Sequence, residues 1–325
     1  MEKPLKTGIL VYPGCTSSMI TGVWDILTLA NGFYNQEHSK ALFNLELIGE
    51  NKLPINSFSG LTFTPHRSIK TKAIFDIIYI PGFIGEVDNA IALNQKLIDW
   101  LSKIDPGKTI ISAACNGNFL LAASGKLDNK GATTHWNLVE KFQKDYRKVT
   151  LYPEKIIVDN GNVISAAGVT SYFNLTLHLI QRFASTEISL SCAKIFLVDS
   201  GRKIQTPYQM LEFPKSHGDE LIMKTQDWIE SNYRESITLS KLEKAVNTGA
   251  KTLTRRFRKV TGVTPQAYLQ KLRIEMAKRL LESKDISFNE VTWEVGYNDT
   301  SSFHKAFKKE TGLTPIDYRN KFSFV

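Results

Sequence analysis

Cys115 is the residue whose type and position suit covalent chemistry best. It ends the apolar run TIISAAC and leads at once into NGNFLLAASG, a helix-forming stretch, within residues 109–125. A side chain mounted on a sharp strand-to-helix turn projects where a substrate can reach it, which is how many α/β enzymes display a nucleophile. The thiolate is the reactive form, and a thiol with a pKa of ~8.5 needs a base, a cation or a helix N-terminus to generate it. The helix beginning near Asn116 offers backbone N–H groups, and His135 in TTHW is a candidate base. Cys15 and Cys192 read as buried structural thiols. With no CxxC and no Cys/His spacing suited to a metal, neither a disulfide framework nor a zinc site is expected. No cofactor is implied.

A second chemistry is written in charge. The chain carries 41 Lys and Arg against 32 Asp and Glu, a formal net charge of +9. Nine basic residues lie between Lys251 and Arg279 against the single acid Glu275, so this stretch alone carries +8. Positive charge gathered on one helical region suits a polyanion such as nucleic acid. Within it Leu253, Phe257 and Val260 recur at helical spacing, while Lys251, Thr254, Arg255 and Arg258 fall largely on the other side. Arg255, Arg258 and Lys251 have the reach for guanine edges or phosphates; Lys259, Lys308 and Lys309 suit phosphates.

Both sets of residues need elements to hold them. From residue 6 to about 183 the apolar runs TGILVY, FNLELIG, FDIIYIPG and TIISAAC alternate with helical stretches such as 17–34 and 87–103. This predicts an α/β domain, a mostly parallel sheet with helices on both faces, flavodoxin-like. KIIVDNGNVISAAG reads as a hairpin turning at Asn160 and Gly161, and the next segment as a helix packing back on the sheet. Ligands of open α/β sheets bind beyond the carboxyl ends of the strands. Tyr12, Gly82, Phe83, Cys115 and Asn116 fall at such ends, with His135 and Trp136 beside them, so these seven are the expected lining of a small-molecule effector pocket. Phe83 and Trp136 would equally suit the core. Residues 198–218 contain Gly201, Pro207, Pro214 and Gly218 and keep no period. The expected division is a ligand-sensing and dimerisation domain over 1–197, a linker over 198–218 and an all-α domain over 219–325.

The all-α region contains a repeat. FRKVTGVTPQAY (257–268) and FKKETGLTPIDY (307–318) agree at seven of twelve positions, offset by 50. Gly262 and Gly312 suit the left-handed position that closes a helix, Thr264 and Thr314 can cap the next, and Pro265 and Pro315 fit its first turn. A shorter helix precedes each copy, at about 239–247 and 288–295, followed by a tight turn holding Gly249 or Gly296. That is the helix-turn-helix plan, twice. In the second copy Phe303 and Phe307 point inward and leave Thr300, Ser301, His304, Lys305 and Lys308 outward. Asp299 and Thr300, at its start, suit fixing the helix end better than reading bases. A helix over 265–282 joins the copies. At ~1.5 Å per residue it spans about 27 Å, the scale of successive major grooves about 34 Å apart. A helical bundle with a solvated charged face is the competing reading for either copy alone.

GYNDTSSFHKAFKKETGLTPIDYR, residues 296–319, resembles the signature of the AraC/XylS family of transcription regulators, and LTRRFRKVTGVTPQAYLQKLR resembles that family's other helix-turn-helix. The resemblance implies sequence-specific binding of double-stranded DNA through residues 250–258 and 299–308, with RNA polymerase as a further partner. SAACNGNFLLAASGKLDNKGATTHW, residues 112–136, resembles the ThiJ/PfpI superfamily of the class I glutamine amidotransferase-like fold. More closely, it is similar to the GlxA-like subgroup fused to AraC-type domains, which GILVYPG, DIIYIPGF, SAAGVTSYFNLTLHLIQRF and VDSGRKIQTPY also fit. This implies a homodimer that responds to an effector. Catalytic members often follow the cysteine with a His, where this chain has Asn116; hydratase-like members carry an acid on the first helix, where SSMITGVWDIL has Met19, with Asp25 a turn and a half further on. The expectation is a degenerate, non-catalytic elbow. A cysteine-dependent amidase or hydratase fused to a DNA-binding domain is the alternative, with a redox-sensing thiol a further option for Cys115, and non-specific DNA packaging is a third reading. The apolar run near the N-terminus is too short for a signal peptide or a membrane span, so a cytoplasmic protein with no membrane partner is expected.

Overall fold

The computed structural model describes residues 3–323 apart from 211, 212, 214, 216 and 284, so Pro214 of the expected linker lies outside the described residues. The chain divides into two compact units, Met1–Gln205 and Thr206–Val325.

The first unit is built on a seven-stranded sheet. Its strands are β1 (Leu5–Leu10), β2 (Phe43–Gly49), β3 (Arg67–Ser68), β4 (Ile77–Ile80), β5 (Ile110–Ala114), β6 (Ile157–Asp159) and β7 (Val163–Ala166), in the order β6-β7-β5-β4-β1-β2-β3. All neighbours are parallel except β6 and β7, the predicted hairpin, whose turn places Gly161 at φ 82°. Every residue of β4 and of β5 is buried. That is why these strands read as continuous apolar runs, because helices cover both faces of a parallel sheet. The helices that bear on the site are α1 (Ser17–His38), α2 (Gly117–Ala123), α3 (Ser171–Phe183) and α4 (Thr186–Ile195). Side by side in the sheet, β1, β4, β5 and β7 bring their carboxyl ends together.

The first part of the expected linker belongs to this unit. Ile156 N donates to Lys203 O (2.9 Å) and Gln205 N to Glu154 O (2.9 Å), so residues 203–205 run as an added extended segment along residues 154–156. The signal hidden from periodicity arguments was backbone pairing, which needs no apolar pattern. Further on, Phe213 packs edge-on against Tyr268 (4.8 Å) and Lys215 pairs with Asp227 and Glu230 (2.6 and 2.7 Å), so these residues pack within the second unit.

The second unit is helical: α5 (Glu220–Asn232), α6 (Leu239–Val246), α7 (Ala250–Thr261), α8 (Pro265–Ser283), α9 (Phe288–Glu294), α10 (Thr300–Thr311) and α11 (Pro315–Phe322). Two apolar cores form, one under α7 around Leu253 and Phe257, the other under α10 around Phe303 and Phe307. The connecting α8 serves both, giving Tyr268, Leu269 and Leu272 to the first and Ile274, Ala277 and Leu281 to the second. Within the stretch that serves the second core lies a buried ion pair, Lys278 to Glu275 (2.9 Å).

Candidate functional site

The elbow has the backbone of a nucleophile mount. Cys115 sits at φ 57°, in the left-handed region that a non-glycine residue adopts only when its surroundings impose it. They do so here: Cys115 N donates to Ala166 O of β7 (2.8 Å), while Asn118 Nδ2 reaches Cys115 O, Thr133 O and Ala166 O, each at 2.9 Å. Gly117 is required by close approach, since a Cβ there would lie 2.4 Å from Pro81 O.

The elements around the elbow are closely packed. The Asn116 side chain is spent on the backbone of Phe83, accepting from Phe83 N (2.8 Å) and donating to Phe83 O (2.6 Å). Met19, fully buried, offers its Sδ to Gly82 N at 2.9 Å, and the Tyr12 hydroxyl donates to Pro81 O. A methyl group added at Gly82 would meet Asn116 Oδ1 at 2.9 Å, Met19 Sδ at 3.0 Å and Cys115 Cβ at 3.1 Å. Cys115 is only 4 % exposed, and burial pushes its thiol up to about 11 against the small opposing pull of the Asn116 backbone N–H. Burial therefore favours the neutral thiol at neutral pH. Asp25 is exposed on α1. His135 is half-buried: its Nδ1 accepts weakly from Asn137 N (3.4 Å), its ring leans on Trp136 (5.2 Å between centroids), and burial lowers its pKa.

Of the seven residues expected to line a pocket, Tyr12, Gly82, Phe83, Cys115 and Asn116 thus converge as a closed, buried cluster. His135 and Trp136 lie on its rim, joined to it through the Thr134 hydroxyl, which donates to Cys115 O (3.4 Å). Sequence reasoning missed Gln205, buried at 2 % exposure. Its Nε2 donates to Thr134 O and Pro153 O, both at 2.8 Å, and its Oε1 accepts from Trp136 N at 3.1 Å. It lies in a stretch without period, so only its amide chemistry could have singled it out.

In the second unit the repeat is reproduced bond by bond. Phe257 and Phe307 are fully buried, and each meets its tyrosine edge-on, Tyr268 at 5.3 Å and Tyr318 at 5.4 Å. The hydroxyls of Tyr268 and Tyr318 donate to Glu230 and Glu282. Thr261 and Thr311 donate back to Phe257 O and Phe307 O at 2.8 Å; Gly262 and Gly312 close their helices at φ 77° and 78°. Thr264 and Thr314 accept from Ala267 N and Asp317 N at 3.2 Å, capping helices that open with the buried Pro265 and Pro315. Six of the seven shared positions therefore have an internal task. The seventh, Lys259 and Lys309, is exposed in both copies and takes part in no ion pair among the described residues.

Lys251, Thr254, Arg255, Arg258 and Lys259 together line one concavity of about 700 Å³ on α7, with Leu239, Ala250 and Thr264. On α10, Ser301, Lys305 and Lys308 are exposed and Thr300 and His304 half-buried, while Asp299 caps the helix by accepting from Ser302 N (2.7 Å). Not all the basic residues counted in the sequence are available to a partner. Arg256 binds Asp219 (2.6 Å), Lys278 is buried with Glu275, and Arg273 donates to Tyr233 O (2.8 Å) and Glu235 O (2.7 Å).

Comparison with known proteins agrees with this division. Residues 21–182 match the DJ-1/PfpI family, and residues 242–321 match a helix-turn-helix domain family. The HTH-type transcriptional regulator GbdR of Pseudomonas aeruginosa is 24% identical over 319 residues, 98% of this chain and 85% of its own length. The isonitrile hydratase of Pseudomonas putida is 23% identical over 184 residues, 56% of this chain and 74% of its own. The crystal structure of Drosophila melanogaster DJ-1beta superposes with a TM-score of 0.51 at 20% identity, covering 61% of this chain and all of that one. The chain joins a DJ-1/PfpI domain to a C-terminal AraC-type helix-turn-helix domain.

Proposed function

We propose that the chain is a transcription regulator that binds double-stranded DNA sequence-specifically through α7 and α10 and responds to a small molecule through its α/β unit. The observation that carries this reading is the lysine kept in both copies of the repeat. Lys259 and Lys309 recur where folding gives them nothing to do, at the same place on two exposed basic helices. A cation so placed supplies phosphate contact without base information, leaving Arg255, Arg258 and Lys251 to read base edges. The expected interface adds Thr254 on α7 and Thr300, Ser301, His304, Lys305 and Lys308 on α10.

The effector would enter at the rim formed by His135 and Trp136 and reach Phe83, Gly82, Tyr12, Asn116 and Cys115 by displacing the packing described above. No turnover is proposed there. The thiol is protonated at physiological pH, Asn116 is committed to Phe83, and Met19 fills the place an acid would need. Homodimerisation through the α/β unit, residence in the cytoplasm and contact with RNA polymerase complete the reading. Nuclease footprinting of the DNA flanking the chain's own gene tests it. Two protected half-sites about one helical turn apart on one face are expected, whereas uniform coverage with no sequence preference would overturn it.

A further inference from the structure

Gln205 is the last residue of the first unit, and Thr206 begins the second. An amide side chain can make four hydrogen bonds, and a buried one must make most of them. Gln205 directs its bonds at the rim of the elbow. Its oxygen holds Trp136 N (3.1 Å), and its nitrogen spans Thr134 O and Pro153 O (2.8 Å each). Thr134 in turn donates to Cys115 O (3.4 Å), and the Gln205 backbone is tied to Glu154 O (2.9 Å). The covalent exit of the chain toward its helical unit is thereby registered, within one residue, on the loop that carries His135 and Trp136. A ligand that moves this loop cannot leave the Gln205 bonds to Trp136 and Thr134 intact, and losing them loosens the hold on the segment that leads into Thr206, whose remaining ties are its backbone bonds to residues 154–156.

We propose that Gln205 is a positioning residue that couples the state of the elbow rim to DNA binding by the second unit. The proposal rests on the regulator reading above. With the rim closed, the exit segment is pinned along residues 154–156. With the rim displaced, the amide loses Trp136 N and Thr134 O together, because both lie on the one loop, and keeps only Pro153 O. The exit segment then has two discrete states, pinned and loosened, which is what a coupling residue between two sites requires.

The test uses the full chain and a double-mutant cycle. Gln205→Met keeps the volume and removes the bonds, Gln205→Asn keeps the amide but shortens its reach, and Trp136→Ala perturbs the rim. In Gln205→Met, amide exchange at Trp136 should rise at least tenfold, and the affinity for the footprinted DNA should shift. Trp136→Ala should shift that affinity in the parent chain and have no further effect once Gln205 is Met or Asn. Strictly additive effects, or DNA affinity unmoved while exchange at 133–136 rises, would overturn the coupling. If the parent chain shows no sequence-specific DNA binding at all, the regulator reading fails first, and that result is distinct from an additive cycle.

Discussion

Cys115 on one side and the basic residues Lys259, Lys309 and Arg255 on the other carry the functional contrast, and each makes a prediction of its own. Cys115 is held neutral by burial, so its alkylation by iodoacetamide should be slow at pH 7–8 and climb only as pH approaches about 11. A midpoint near 7 with turnover of a small amide or isonitrile would restore the enzyme reading. The same shift bears on stability. A thiol pKa raised by folding contributes stability in full below the unfolded pKa, about 9, and loses it as pH rises through about 11. Melting temperature should therefore fall across pH 9–11, less steeply in Cys115→Ser. Lys259 and Lys309 are predicted to give affinity and not sequence. Each changed to Ala should weaken binding to all DNA alike and lower the slope of log affinity against log salt by roughly 0.9. Arg255→Ala should instead relax preference at one base pair, at a cost of about 1–3 kcal/mol for the matched site.

At the scale of elements, the two helix-turn-helix turns look alike in sequence and differ in what they tolerate. Gly296 sits at φ 82°, and a Cβ there would lie 2.6 Å from Arg234 O, whereas Gly249 has φ −59° and open space around its Cβ position. The left-handed step in the first turn is taken by Asn247, at φ 51°. Gly296→Ala should destabilise the helical unit by at least about 2 kcal/mol, while Gly249→Ala, which meets no clash and loses only an N-cap preference, should cost about 1 kcal/mol or less; thermal melts followed by circular dichroism would separate them. The asymmetry was invisible in sequence, because a glycine announces a turn but not which residue beside it adopts the strained conformation. The alternation of strands and helices, the hairpin at Asn160–Gly161 and the caps of the repeat were all legible, since each is fixed by local chemistry. The pinning of residues 203–205 was not, because it depends on backbone pairing with a segment fifty residues away. The elbow was half legible. Its backbone was readable from TIISAACNGNF, but the commitment of Asn116 to Phe83 and of Met19 to Gly82 is a matter of tertiary packing.

At the scale of the whole molecule, the two helices proposed to read DNA, α7 and α10, stand in one unit. Inserting about five base pairs between the footprinted half-sites turns them to opposite faces of the duplex. Affinity for the pair should then collapse toward that of one half-site; retention of full affinity would show that only one helix reads DNA. The long helix α8 does more than space these surfaces. It gives consecutive stretches of its length to two separate apolar cores, with a buried ion pair, Lys278 to Glu275, inside the second stretch. Neither core is complete without it, so the two surfaces should melt in a single cooperative transition. A lesion beneath one reading helix is then felt at the half-site read by the other. Mutations hidden far from the DNA, on the buried faces of α8, would abolish recognition of both half-sites at once, whereas changes on the exposed helices would be confined to one.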